Sequence, residues 1–444
     1  MDQIKNLEDY EKRFNLADEK TPVNEYLTAH YKKSLAYFTL HDRLPRIITE
    51  IIDNLARSKE QIVEARGEAC REEIKTVIGK ISELKYELQT DKEFKPFPET
   101  CDELKKWNEF LLSITTKKSY FSAVWLYAEC YLYRRIKLIF EETNYLQDYD
   151  YFKSQKDQTL VHCCQSIKAI GASLAEKKIE SDEEIRDYLF KVIKLNLWGN
   201  RCDLSVTAGK EVKVTLDPFA GLEGLDKFIL INDSENIWQC LKSANGQADV
   251  QIINDNAGYE LFTDVVLADY LIEHNLAKKI TFNLKAIPWF ISDALEHDVE
   301  FLLKFLEDTK DEFLVHLSEK WRNRFKNGEF LIHKPIDHFW TSGYEFCKME
   351  KADSELYERL SKSHLLIFKG DLNYRKLLAD FYWDPTTSFK DSLNGFLPTN
   401  LCSLRTVKAD VISGLKSGIA EALTELDANW MKTGEYGVIQ FANK

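Results

Sequence analysis

"VQIINDNAGYELFTDVVLADYLI", Val250 to Ile272, decides how this chain is read. It passes from the apolar pair Ile252 and Ile253 straight into Asn254, Asp255 and Asn256. After Ala257 and Gly258 it becomes amphipathic, with Tyr259 and Glu260 at the junction. Short strand, polar turn, helix is the simplest parse. The polar residues have two accounts. Asn, Asp and Gly are the usual residues of a plain turn. In open α/β sheets, however, ligands collect beyond the carboxyl ends of the strands.

The same unit recurs outward from this stretch. "FILIND" runs into "SENIWQCLKSA", "ITFNLKAIP" into "WFISDALEHDVEFLLKFL", and "SHLLIFKGD" into "LNYRKLLADFYW". "NLCSLRTVKAD" runs into "VISGLKSGIAEAL", and "YGVIQF" suits a last short strand. Apolar strands alternating with helices predict a Rossmann-like, doubly wound, mostly parallel sheet. The first half has another texture. "RIITEIIDNLARSKEQIVEA" and "SAVWLYAECYLYRRIKLIFEE" repeat apolar residues at helical spacing, and Ser181 is placed to cap "DEEIRDYLFKVIKLNLWGN". The expectation is an α/β protein with an all-helical domain over 1–205 and an α/β catalytic domain over 206–444.

A chain of 444 residues exceeds the ~250–300 at which one core stops growing, so two domains are expected. The net charge of −13 argues against nucleic acid or an anionic membrane as partner. No basic tip with an apolar run opens the chain, and "FSAVWLYAECYLY" is too short to span a bilayer. The nine cysteines contain no Cys-x-x-Cys pair. Reduced thiols, and a place in the cytoplasm or nucleus, are therefore expected.

The strand ends divide by charge. Asn254, Asp255, Asn256 and Glu260 follow one strand, and Lys285 and Asp293 the next. Lys369, Asp371, Asn373, Arg375 and Lys376 follow a third, and Arg405 and Lys408 the last. Parallel strands deliver these loops to one edge of the sheet. Carboxylates with an amide oxygen suit a hard divalent ion, while Arg and Lys beside it suit a phosphate. A metal with cations can stabilise a transferring phosphoryl group. Bland accounts stand beside this one: Asp255 and Asn256 as helix caps, Asp293 as a first-turn acid against the helix dipole. Glu129, Arg134 and Arg135 read as a buried ion pair between domains, and Asn200 and Asp203 as helix termination. The histidines show no ligand spacing.

"NDNAGYELFTDVVLADYL", "KAIPWFISD", "FKGDLNYRKL" and "RTVK", with "WLYAECYLYRR" and "LWGNRCDLS" earlier, carry a resemblance over nearly the whole chain. Together they resemble the damage-control phosphatase family, in its sugar-phosphate subfamily with an Arg-Thr-x-Lys signature. The resemblance implies metal ligands at Asp255, Asn256 and Asp293, with Asp255 and Asp293 catalytic. It implies substrate contacts at those three residues and at Glu260, at Asp371, Leu372, Asn373, Tyr374 and Arg375, and at Lys408. It implies hydrolysis of small sugar phosphates such as fructose 1-phosphate and fructose 6-phosphate with Mn²⁺, Co²⁺ or Ni²⁺, removing harmful or surplus phosphometabolites. Nucleic acid and membrane have no part in it.

Two rivals accompany this reading. The resemblance also brings an S-adenosylmethionine-dependent carboxyl methyltransferase activity on protein glutamates, which would make a protein the substrate. The stretch "VTLDPFAGLEGL", Val214 to Leu225, is a poor loop for that cofactor, since Glu223 interrupts its glycines. The second rival is a non-enzymatic sugar-phosphate sensor using the same pocket.

Overall fold

The computed structural model describes residues 11–176, 179, 181–199 and 219–444. The expected boundary at 205, Asn200, Asp203 and the start of the glycine stretch at Val214 lie outside the described residues.

Seven strands form one sheet in the order β1-β7-β6-β5-β2-β3-β4. They are β1 Ile229–Asn232, β2 Asp249–Ile253, β3 Lys279–Asn283, β4 Phe330–Ile332, β5 Leu365–Lys369, β6 Leu401–Thr406 and β7 Gly437–Ala442. The five from β6 to β4 are parallel, whereas β7 runs antiparallel to β6 and β1 pairs parallel to β7. The fold is α/β with a mostly parallel sheet. From β2 the chain steps to β3 and β4, then returns to place β5 on the other side of β2. The carboxyl ends of β2 and β5 therefore flank the topological switch point, where open α/β sheets leave a crevice.

Side chains of successive strand residues point to opposite faces, and the buried apolar residues follow suit. Ile253, Leu366 and Phe368 join one cluster with Leu27 to Phe152 of the helical first half. Val250, Ile252, Leu365 and Ile367 join another with Leu160 to Trp198 and the helix Tyr259–Glu273. Helices of the first half thus cover both faces of the sheet. The helix Asp182–Leu197, opened by a Ser181–Glu184 capping box, packs on Tyr259–Glu273 and on β6 and β7. The helix Trp125–Glu141 is buried on almost every side, as its nearly continuous apolar sequence requires.

Three expectations need correction. "WFISDALEHDV" does not start a helix at its apolar end: Phe290 and Ile291 take φ +41° and +75°, and the helix begins at Glu296. In "VISGLKSGIAEAL" only Ile419–Leu426 is helical, because Gly414 and Gly418 turn at φ +83° and +85°. Seven cysteines among the described residues are free thiols, but Cys163 is disulfide-bonded. Among the described residues no helix is long and apolar enough to cross a membrane.

Candidate active site

At the end of β2 the chain does not cap the helix that follows. The N-cap of Tyr259–Glu273 is Gly258, at φ +68°, and no side chain bonds to that helix start. Asp255 and Asn256 are left to face the loop after β3. There Asn256 and Asp293 form an isolated antiparallel bridge. Ala257 N–H donates to Ser292 O at 2.7 Å, and Ala294 N–H to Asp255 O at 2.8 Å. Two loops from neighbouring strands are zipped together, and Asp255, Asn256 and Asp293 come from the zip. Asp293 stands three residues ahead of the helix Glu296–Asp308, so the first-turn account of it fails.

These groups share a web of hydrogen bonds. Asn256 Nδ2 donates to Asp255 Oδ2 at 2.9 Å and to Glu260 Oε2 at 2.7 Å, while Ser292 Oγ donates to Asn256 Oδ1. Lys285 Nζ donates to Asn254 O at 2.6 Å and lies 3.2 Å from Asp293 Oδ2. Lys369 Nζ lies 3.2 Å from Glu260 Oε1 and 3.1 Å from Asp264 Oδ1. Lys285 and Lys369, candidates for the phosphate in the sequence, instead clamp carboxylates from either side of β2.

Asp255, Glu260, Asp264 and Asp293 set four carboxylates against these two ammonium groups, all of them buried. Burial, then the charges of Asp293 and Glu260, push Asp255 well above the usual carboxylate range. Burial pushes Asp293 up to about 6, with Lys285 opposing and Glu260 adding. Crowded like charges that are short of counter-charge fit a divalent cation. Asp255 and Asp293 would hold it by carboxylate oxygens and Asn256 by its amide oxygen.

The β5 side approaches very closely. Gly370 has φ +78°, and a Cβ built there would lie 1.9 Å from Asp255 Oδ2. Glycine is required at that position on both counts. From Gly370 the helix Gly370–Leu377 begins without a side-chain cap. Asn373 Nδ2 donates to the carbonyls of Ile253, Asn254 and Lys369, tying the ends of β2 and β5 together. Asp371 Oδ1 accepts from Arg405 Nε at 2.8 Å and from Lys408 N–H at 3.1 Å, which fixes the Arg-Thr-x-Lys loop after β6. Lys408 is half-buried, and its ammonium makes no hydrogen bond or ion pair among the described residues.

The remaining loop residues expected at the sugar phosphate pack inward. Leu372 belongs to the core. Tyr374 is fully buried, stacked on Phe389 with the Arg405 guanidinium 4.1 Å from its ring centre. Arg375 makes a two-pronged pair with Asp380 at 2.8 and 2.7 Å and a third bond to Glu129 Oε2 at 2.6 Å. Its guanidinium also lies over Trp125, 3.5 Å from the ring centre. The ion pair read for Glu129 is formed with this arginine, while Arg134 pairs with Glu103 and Glu141.

A second acidic group needs separating from the first. Asp150, His297 and Asp298 bring ligand atoms within 4.8 Å of one another. Lys156 Nζ lies 2.7 Å from Asp150 and 2.6 Å from Asp298, so the chain already supplies that cluster with a cation. Sequence reading missed Asp264 and Asn196, whose side chains meet at 2.7 Å behind the site. The signal was present: Asp264 interrupts the apolar run "LFTDVVLADYL".

A mostly parallel sheet with a buried acidic cluster at its switch point and an uncapped helix beside it defines the class, an α/β protein with polar loops gathered at its strand ends. The chain belongs to the damage-control phosphatase ARMT1-like family, whose domain model matches residues 39–423. Proteins named damage-control phosphatase ARMT1 are similar over nearly their full length. The one from Danio rerio is 40% identical over 435 residues, covering 94% of this chain and 96% of its own. That from Mus musculus is 38% identical, covering 94% and 98%, and that from Homo sapiens 37%, covering 92% and 96%.

Proposed function

We propose that this protein is a metal-dependent phosphatase of small sugar phosphates, of the fructose 1-phosphate and fructose 6-phosphate type. The observation that carries it is the crowded set of Asp255, Glu260 and Asp293 at the switch point, short of positive charge and facing an uncapped helix start. Asp255, Asn256 and Asp293 would hold Mn²⁺, Co²⁺ or Ni²⁺. Bound there, such an ion supplies Lewis acidity and a more acidic water.

The chain's own groups do the rest. The open N–H groups of the helix from Gly370 suit a phosphate, since a helix N-terminus carries partial positive charge and unsatisfied donors. Lys408, whose ammonium is uncommitted, neutralises phosphate oxygens from the neighbouring loop. Asp371 Oδ2 is the group left for sugar hydroxyls. Leu372, Asn373, Tyr374 and Arg375 serve by shaping the loop.

The test is phosphate release from a panel of phosphomonoesters with Mn²⁺ present, run beside methyl transfer from labelled S-adenosylmethionine to protein glutamates. Release of phosphate from ketose phosphates without methyl transfer supports the proposal. Methyl transfer without phosphate release overturns it, and binding of fructose 1-phosphate without turnover returns the protein to a sensor.

A further inference from the structure

Behind the acidic cluster stands a carboxylate that the chemistry above does not use. Asp264 is completely buried on the helix Tyr259–Glu273, one turn beyond Glu260. Its Oδ1 accepts from Asn196 Nδ2 at 2.7 Å and lies 3.1 Å from Lys369 Nζ, while its Oδ2 accepts from Asn254 Nδ2 at 2.8 Å. The Oδ1 atoms of Asn196 and Asn254 find no donor among the described residues. Asp264 is therefore the group that orients both amides.

Two arms run forward from it. The first passes through Lys369 to Glu260, through Asn256 Nδ2 and on to Asp255. The second passes through Asn254, whose carbonyl accepts from Lys285, and on to Asp293. Backward, Asn196 ends on the helix Asp182–Leu197, so the node reaches the first half of the chain. A carboxylate suits this place because it only accepts, and three donors converge on it. An amide of the same shape would turn an NH₂ group towards one of those donors.

We propose that Asp264 is the positioning residue of the site, holding Lys369 and Asn254 so that Asp255, Asn256 and Asp293 present their oxygens to one cation. The inference rests on the metal-dependent reading above. It makes Asp264 part of the affinity for metal without contact to it.

The test is Mn²⁺ titration calorimetry on the whole chain, chelator-stripped beforehand, with thermal unfolding of each variant. Asp264→Asn is expected to weaken Mn²⁺ binding at least tenfold while the metal-free protein keeps its unfolding temperature within a few degrees. Asn196→Ala keeps the carboxylate and its lysine but removes one of the three donors that hold Asp264, and is expected to weaken Mn²⁺ binding severalfold, should Asp264→Asn not fold. Unchanged Mn²⁺ affinity in whichever variants fold, whatever their stability, overturns the proposal and leaves Asp264 a packing residue. A wild-type protein that binds no Mn²⁺ overturns the metal-dependent reading itself, and the proposal with it.

Discussion

Gly370 and Asp255 stand so close that a Cβ on the glycine would lie 1.9 Å from Asp255 Oδ2. The start of the helix after β5 and the carboxylate after β2 are thus fitted to each other across the switch point. Gly370→Ala is expected to displace Asp255 and cut phosphate release by about a hundredfold or more, with a stability loss of about 1–2 kcal/mol from the left-handed backbone. Near-normal turnover in a folded variant would show that the contact is incidental. Phosphate release and urea unfolding together make the check.

Arg375 is expected to behave as a structural residue. Its guanidinium is shared between Asp380 and Glu129, and Asp380 Oδ2 also accepts from Leu126 N–H at the start of the helix Trp125–Glu141. Arg375→Ala strands two buried carboxylates and should lower stability by about 3–5 kcal/mol in urea unfolding. A phosphate ligand would behave otherwise, raising KM with stability unchanged.

Lys376 gives a pH signature. It is buried, its ammonium donates to Ser342 O at 2.9 Å, and among the described residues no carboxylate forms an ion pair with it. Burial pulls its pKa down to about 8. A lysine lowered in the folded state binds its proton more readily when unfolded, so its charge destabilises the fold. That penalty is full below pH 8 and fades as pH rises towards the ordinary value of 10.5. Lys376→Met should therefore unfold at higher temperature than wild type at pH 7, and the gap should shrink by pH 10. A gap that is absent at pH 7, or that widens with pH, contradicts this.

Lys408→Ala should raise KM for every phosphomonoester, including a simple aryl phosphate, because the lost charge addresses the phosphate and not the sugar. The ratio of kcat/KM for fructose 1-phosphate over the aryl phosphate should stay within about threefold of wild type. A selective loss on the sugar substrate would move Lys408 to the sugar end of the site.

Much of this architecture can be read from residue order. Val250 to Ile272 states its strand, turn and helix through apolar spacing, and Gly258 supplies the left-handed turn. The helix expected from Trp289 begins only at Glu296, because "IPWFIS" has a helix-like apolar pattern that the loop overrides. Phe290 and Ile291 take left-handed angles that such side chains rarely adopt, just ahead of the pairing of Asn256 with Asp293. β4 was overlooked because three residues at a sheet edge carry no period. The commitment of Arg375 to Glu129 and Asp380 was illegible for another reason. A loop arginine reads as a ligand until the helix that supplies Glu129 is packed against it, and those residues are 246 apart in the chain.

The central claim is that divalent metal on Asp255, Asn256 and Asp293 is needed for phosphate release. Its most direct test is turnover of fructose 1-phosphate by chelator-stripped protein, verified metal-free by elemental analysis, before and after Mn²⁺ is added. The account predicts no turnover in the stripped protein, recovery on adding Mn²⁺, and no recovery in Asp255→Ala. Full turnover by the metal-free protein would contradict it.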